Sequence, residues 1–554
     1  MLLFQVIGKF TINDYLIIIS LTLLLYVFRF YYNHFTRPNP LPGPLPLPFE
    51  LEYFFFDGNL KRLTENLSKK YGDICEFKWG GYRRILLSKT DYFENLLTPS
   101  TKSAMLFAKH EHTYATEELG LSGKGVFFNN NYETWKINKY LFTQAISSSG
   151  FNDEAIKQIN KLFEELSGYW NSLRESSNND WLEMDFLIWI NRFTADLVSA
   201  LATGERAYSM ASYYNTFNSD NSSHFDISKL YHSDKFSKAI ITQIRGQIFF
   251  VLVHPFLRRY VPILKDKANS LLANRDFIFG SLDDIIEKRK IDLVKNPELL
   301  KSKHDLLTTL LTANNDKKSK LPMSITDEDI RSILLDVFLG GSGTTSNLLS
   351  YIIYYICHNP HVKQKMFDEI DSVFPSDISH VTADIVAKLK YCEAIIKETS
   401  RMMPITAVSK RVAVAECEVA GYKWPAKTMF HLNYASIHKN EKYWENPDVF
   451  DPDRFFYLKK NDLDELENDL KMLNNESKKS MYNMDRYSLV IFGGGVRICP
   501  GRRLAMVNMI SFMALMFRMY DVELVDMEAP LNLYTSFITT CLGLKIKIRP
   551  RKSL

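Results

Sequence analysis

The sequence predicts a mainly α-helical protein with small β-sheets, built as one large domain behind a single N-terminal transmembrane helix. Three observations carry this prediction. Helical hydrophobic periodicity dominates from about Asp91 to Cys357. Strand-like runs are short, lying near Glu76–Leu87, in a mixed stretch up to about Asn433, and at the chain end. Tyr15–Phe28 (YLIIISLTLLLYVF) is apolar and free of charge, whereas no convincing linker divides residues 50–554.

The N-terminal helix comes first. Its fourteen charge-free residues fall short of the ~20 that span a bilayer, but extension from Tyr15 to Tyr32 reaches that length, with Arg29 snorkelling at the interface. Arg29, His34 and Arg37 follow the segment, and Lys9 and Asp14 precede it. The positive-inside rule then leaves the C-terminal bulk in the cytosol. A cleaved signal peptide is the competing reading. The bulky FRFYYNHF that follows offers no small-x-small cleavage site, so residues 1–36 are expected to be an uncleaved anchor. The sequons at Asn66, Asn221 and Asn475 should then stay unglycosylated.

Residues 37–49 hold six of the chain's 20 prolines, between Pro38 and Pro48. Proline at this density makes a stiff, extended spacer that cannot continue a helix. A floppy linker is the alternative, but Gly and Ser are few here.

Composition excludes other classes. The 554 residues carry 68 basic and 64 acidic side chains, a net charge of +4, with no Lys/Arg tract interleaved with aromatics, so no nucleic-acid partner is expected. The six cysteines (Cys75, Cys357, Cys392, Cys417, Cys499 and Cys541) form no CxxC pair. That usage suits a reducing compartment rather than a disulfide framework.

Within residues 50–554 one helix stands out. Thr326 is an N-cap, Asp329 completes a capping box, and the apolar pattern runs to Cys357 before His358-Asn359-Pro360. About 31 residues give a helix of roughly 46 Å through the core. At its centre lies FLGGSGTTS, Phe338–Ser346, in which Gly340, Gly341 and Gly343 each cost a helix interior ~0.5–1 kcal/mol relative to alanine. Two readings compete: room for something flat or bulky against the helix, or a helix–helix crossing through small residues. Thr344 and Thr345 can bond back to carbonyls one turn earlier or offer a hydroxyl to a ligand. Lys459–Lys479 reads as a solvated charged insertion, and a last apolar helix runs from about Arg503 to Tyr520.

Phe492–Gly501 (FGGGVRICPG) sets one cysteine in a glycine-rich turn before that helix. The helix N-terminus and Arg497 both favour a thiolate. One thiolate with no neighbouring Cys or His is a poor zinc site. It fits an iron whose other ligands come from a porphyrin. A nucleophilic cysteine is the alternative, but no His-and-acid partner suggests itself. His110-Glu111-His112 lacks the HExxH spacing, Gly120–Gly125 lacks a GK[ST] ending, and Gly493-Gly494-Gly495 does not complete GxGxxG. No nucleotide-binding motif is visible.

Phe492, Gly495, Arg497, Cys499 and Gly501 match FxxGxRxCxG, and here the sequence resembles the cytochrome P450 family. Further matches follow over essentially the whole chain. Glu398–Arg401 matches ExxR, Phe450–Phe455 the later Pro/Arg loop, Trp135–Lys139 matches WxxxR with lysine for arginine, and the Pro-rich hinge matches the membrane-bound branch. The resemblance implies a P450 fold with haem b between the long central helix and the helix after the Cys loop. Cys499 would be the axial thiolate on iron, with Trp135, Lys139, Arg411, Phe492 and Arg497 completing the cofactor contacts. Glu398, Arg401 and Arg454 would form a buried charge network under the loop. Thr344 would be the distal threonine that organises protons.

The implied activity is monooxygenation of a hydrophobic molecule, whether lipid, sterol, terpenoid or xenobiotic, at the endoplasmic reticulum membrane with the catalytic domain in the cytosol. Electrons would come from NADPH-cytochrome P450 reductase, with cytochrome b5 as an optional second donor. Arg502 and Arg503 offer a surface to an acidic partner. The implied pocket holds Phe107, Phe338, Gly341, Ala407, Val408 and Phe537. The family pattern [AG]-G-x-[DE]-T-[TS] is broken at Gly343, which replaces the acid, and Asp336 lies over ~10 Å away along the axis. An isomerase, dehydratase or peroxygenase that needs no dioxygen activation therefore stands as the alternative. Beyond it stand a haem-binding sensor or carrier without turnover and, more remotely, a non-haem membrane protein.

Overall fold

The computed structural model describes residues 11–551, apart from 51–55, 58, 80, 99–113, 178, 218–226, 297, 299–302, 316–324, 376–379, 457–484 and 536–537. The helix Ile12–Phe35 is longer than its charge-free centre. Thr11 and Asp14 close a capping box at its start, so polar residues begin the helix that apolar ones continue. At 24 residues it is ~36 Å long, enough for a ~30 Å hydrocarbon core, and none of its residues is buried against the protein.

The proline segment is pinned rather than merely stiff. Glu76, in a strand of the neighbouring sheet, takes the guanidinium groups of both Arg37 and Arg83. Arg83 also donates to the carbonyls of Pro38 (2.7 Å) and Asn39 (2.6 Å). Glu76 N–H donates to Pro42 O at 3.0 Å, so the hinge lies along the strand. A Cβ at Gly43 would sit 2.0 Å from Glu76 O, so only glycine lets the chain pass this close. Arg37, counted above among the cations flanking the membrane, is instead held by Glu76.

Four strands form the largest sheet. Ile74–Trp79 pairs antiparallel with Tyr82–Leu87, which pairs parallel with Met429–Asn433, which pairs antiparallel with Val408–Val412. A second sheet joins Leu182–Asp185, Lys545–Pro550 and Tyr520–Leu524. Two further strand pairs, Cys417–Val419 with Tyr422–Trp424 and Leu533–Thr535 with Thr539–Cys541, stand beside them among the helices.

The long helix runs Asp327–His358, with the Thr326/Asp329 capping box formed at its start. Ile330, Ile333, Leu334, Ile352 and Ile356 are fully buried along it. Against it packs the helix Phe186–Thr203, whose own core residues Phe186, Ile190 and Phe193 are buried. A Cβ at Gly341 would meet Val198 Cγ2 at 3.1 Å, whereas Gly340 and Gly343 have nothing within 4 Å of that position. Gly341, expected on the pocket wall, therefore faces the crossing helix. The two competing explanations of the glycines both apply, at different residues.

Replacing Glu76 with Ala should free the hinge. Two cations and one backbone amide lose their acceptor. Limited proteolysis between residues 37 and 49 is expected to accelerate at least tenfold, as about 1.4 kcal/mol or more of local closure is lost.

Candidate active site at the cysteine loop

Cys499 sits where a short turn, Gly495–Arg497, hands the chain to the helix Arg502–Met519. Its N–H donates to Phe492 O at 2.9 Å, which closes the loop on itself. Gly493 (φ 75°) and Gly495 (φ 66°) take the left-handed conformation that the closure requires. A Cβ on Gly495 would also press to 3.0 Å from Leu97 O of the helix Thr90–Leu97. Burial raises the Cys499 thiol above its ordinary value, opposed by the Gly501 N–H and then by the charges of Lys139 and Arg502.

Arg497 was expected to favour that thiolate, but it turns elsewhere. It donates to Val126 O (3.2 Å) and Asn129 O (2.6 Å) and stacks 4.2 Å from the Trp135 ring centre. Trp135 lies on the helix Tyr132–Ile146, is 4% exposed, and its Nε1 has no acceptor among the described residues. Lys139, one turn on, donates to the carbonyls of Val496 and Ile498. Arg411, buried in its strand, donates to Gly494 O at 3.0 Å. Burial pulls Lys139 down to about 8, helped by the charge of Arg497. Arg497 falls to about 9 through burial and repulsion from Arg411, and burial also lowers Arg411. A desolvated group of three cations beside an unanswered indole N–H calls for anionic acceptors. The two carboxylates of a haem fit that requirement, and a lone sulfur in a glycine loop fits its iron.

Behind the loop, Glu398 and Arg401 share one face of the helix Lys390–Met402 and form a bidentate pair, both contacts 2.8 Å and both side chains 0% exposed. Arg454 approaches Glu398 at 3.6 Å, and Asp451 N–H donates to it at 2.9 Å. Arg401 extends the network to the carbonyls of His438, Pro447 and Val449. The His438 ring then accepts the Val490 N–H at 2.9 Å, just before the loop. Burial first, and then Arg401, hold that imidazole down to about 3, so it is neutral and can accept.

On the central helix, Thr344 Oγ1 donates back to Gly340 O at 2.5 Å. Ser342 meets Thr194 of the crossing helix at 3.1 Å, and Ser346 donates to Asn191. The carbonyl of Gly343 takes both Ser346 Oγ and Asn347 Nδ2. Hydroxyls and amides thus take the backbone at the position where an acid was expected, and its side-chain direction is open among the described residues.

A family model described as Cytochrome P450 matches residues 41–548. The chain belongs to the cytochrome P450 family. Its haem is therefore held through a thiolate, and the chain is a P450 monooxygenase. Among relatives, the P450 named (S)-1-hydroxy-N-methylcanadine 13-hydroxylase CYP82X2, from Papaver somniferum, is 24% identical over 90% of this chain and 86% of its own. Steroid 17-alpha-hydroxylase/17,20 lyase from Ictalurus punctatus is 24% identical over 83% of this chain and 80% of its own. The crystal structure of the cytochrome P450DA haem domain has a TM-score of 0.71 at 18% identity, covering 93% of this chain and 98% of that one, and shares the P450 fold.

Of the pocket positions expected in this P450, Phe338 is buried with its ring edge-on to Phe236 (5.1 Å), and Ala407 and Val408 are buried beside the large sheet. Phe107 and Phe537 lie outside the described residues, as does the charged insertion Lys459–Lys479. Sequence reasoning missed His438 and the role of Asp336. The Asp336 carboxylate accepts the N–H groups of Val126 (2.6 Å) and Phe127 (2.9 Å), in the same loop whose Val126 and Asn129 carbonyls take Arg497. Burial pushes its carboxyl up to about 6, against those two N–H bonds and Arg497.

Two outcomes are expected. Glu398→Gln leaves Arg401 buried and uncompensated, a cost of about 3–5 kcal/mol that a urea titration would read as a lower midpoint. Asp336 in the folded chain holds its proton to about 6, above the unfolded value of 3.8, so its contribution to stability is full below about pH 4 and lost as pH rises through 6. The stability of Asp336→Asn relative to the unsubstituted protein should therefore climb between about pH 4 and 7, as measured by denaturant titrations at several pH values.

Proposed function

We propose that this P450 inserts one oxygen atom of O2 into a hydrophobic substrate (lipid, sterol, terpenoid or xenobiotic), with electrons from NADPH delivered by NADPH-cytochrome P450 reductase. Cytochrome b5 can serve as a second donor. The other oxygen atom leaves as water, and NADPH supplies the electron pair that balances it. One observation carries the reading: beside the glycine loop of Cys499 the buried Trp135 Nε1 has no acceptor among the described residues, and burial depresses Lys139 and Arg411 next to it. Two relatives are named as hydroxylases, one of them a steroid hydroxylase, which supports the substrate class. Ile12–Phe35 would hold the enzyme in the endoplasmic reticulum membrane as a single-pass protein facing the cytosol.

The chain's residues divide the work. Cys499 would hold the haem iron through its sulfur, and the bound haem would supply the chemistry of dioxygen. Trp135 Nε1, Lys139, Arg411 and Arg497 would orient the haem through its carboxylates, and Phe492 would border it from the loop. Thr344 holds a hydroxyl, fixed through Gly340 O, on the open side of the central helix and passes protons there from water. With Ser342 engaged by Thr194 and the Gly343 carbonyl by Ser346 and Asn347, water in the open space at Gly343 takes the place of the usual acid beside that hydroxyl. Phe338, Ala407 and Val408 bound the apolar space for substrate, and Arg503, exposed beside the loop, faces the reductase.

Gly343 favours a second reading, rearrangement or peroxide-driven oxidation without dioxygen activation. The reconstituted enzyme decides between them. Candidate lipids should yield product plus one oxygen atom from labelled O2 only with reductase and NADPH present, and Cys499→Ala should abolish it. Full turnover without either, and without oxygen uptake, would sink the monooxygenase reading. The space at Gly343 accepts a side chain, so Gly343→Asp should fold normally and raise the product formed per NADPH consumed.

A further inference from the structure

Lys139 and Arg497 exchange partners between two segments. Lys139, on the helix Tyr132–Ile146, donates to Val496 O and to Ile498 O (3.3 Å) in the cysteine loop. Arg497, in the cysteine loop, donates to Val126 O and Asn129 O in the segment that leads into that helix. Both cations lie against the Trp135 ring, at 5.2 and 4.2 Å from its centre. The result is a reciprocal staple, each segment reaching into the other's backbone.

The chemistry of the two cations explains which does what. An ammonium is compact and carries three donors, and here two of them go to carbonyls on either side of one residue. A guanidinium is a planar fork suited to a carboxylate, whereas the ammonium is a compact point that two carbonyls of one tight turn can share. Ile498 O is the last carbonyl before Cys499, and the turn it ends is the one whose closure places the Cys499 N–H on Phe492 O. Lys139 therefore acts on the segment that aims the sulfur, with one donor left for a haem carboxylate.

Resting on the haem-thiolate reading above, we propose that Lys139 is a positioning residue of the Cys499 loop: its ammonium clamps the carbonyls of Val496 and Ile498 and so holds the sulfur in its ligating position, a role beyond that of a counter-ion to haem. Lysine in place of arginine is then a functional choice, because an arginine here would give up the clamp for the carboxylate.

The test compares the full-length holoenzyme with Lys139→Met, which removes charge and donors, and Lys139→Gln, which keeps a donor without charge. Three readouts are taken: amide hydrogen exchange of residues 493–501, the thiolate fraction in the reduced carbon-monoxide spectrum, and the rate of haem transfer to apomyoglobin. The expected result for Lys139→Met is exchange in the loop faster by about tenfold or more, with a fall in thiolate fraction and, since the sulfur and one donor both hold haem, faster haem transfer as well. Lys139→Gln should recover part of the loop protection. Faster haem transfer with loop exchange and thiolate fraction unchanged in both variants overturns the proposal and leaves a simple counter-ion. If Lys139→Met loses protection throughout the chain, Lys139→Gln decides: a loop protected as in the unsubstituted enzyme, with its thiolate fraction lowered, overturns it too. A missing thiolate signature in the unsubstituted enzyme would instead overturn the haem-thiolate reading, and loop exchange still reports on the clamp.

Discussion

The fully buried ion pair between Glu398 and Arg401 is the constraint on which the site depends. Two charges removed from water are tolerable only when nearly every lone pair and proton is answered. Here Glu398 takes Arg401, Arg454 and the Asp451 N–H, while Arg401 also donates to three backbone carbonyls. Those carbonyls belong to the segments that come before the cysteine loop, and one of them, His438, turns its ring to hold Val490. The pair thus converts the geometry of one helix into the position of a distant loop. Its net contribution to stability is small by comparison with the specificity it imposes.

A different logic governs the face that takes the haem. There the cations gather: buried Arg411, half-buried Lys139 and Arg497 and an indole N–H stand together, and burial depresses all three cations. Such a site is costly when empty of anions and favourable once they arrive, so haem binding and local order are coupled. Asp336 joins the central helix to the same arrangement through Val126 and Phe127. The loop between Gly125 and Asn129 is consequently held by Asp336 through its amides and by Arg497 through its carbonyls.

The central helix shows how one run of small residues serves unlike ends. Gly341 allows Val198 of the crossing helix to come close, whereas Gly340 and Gly343 face open space. Helix packing and access to the helix axis both demand missing side chains, and the spacing of a helix places consecutive glycines on different faces. The hydroxyls and amides of Asn191, Thr194, Ser342 and Ser346 meet across the helix crossing, and Ser346 and Asn347 take the carbonyl of Gly343, whose side-chain direction stays open.

Much of this protein was legible in its sequence because the signals are local. The Thr326/Asp329 capping box, the apolar N-terminal helix, the i,i+3 spacing of Glu398 and Arg401 and the cysteine-loop motif all act within a few residues. Only the tertiary structure decided which distant groups those elements meet. Arg37 found Glu76, Asp336 found the amides of Val126 and Phe127, and Lys139 found the carbonyls beside Cys499. Each of these is a charged group whose type was visible but whose partner is backbone or a side chain far along the chain. Backbone carbonyls and amides are present at every residue and carry no sequence signature. Local periodicity could therefore specify the helices and the loop, while the pairing of buried charge with backbone waited for the fold to bring them together.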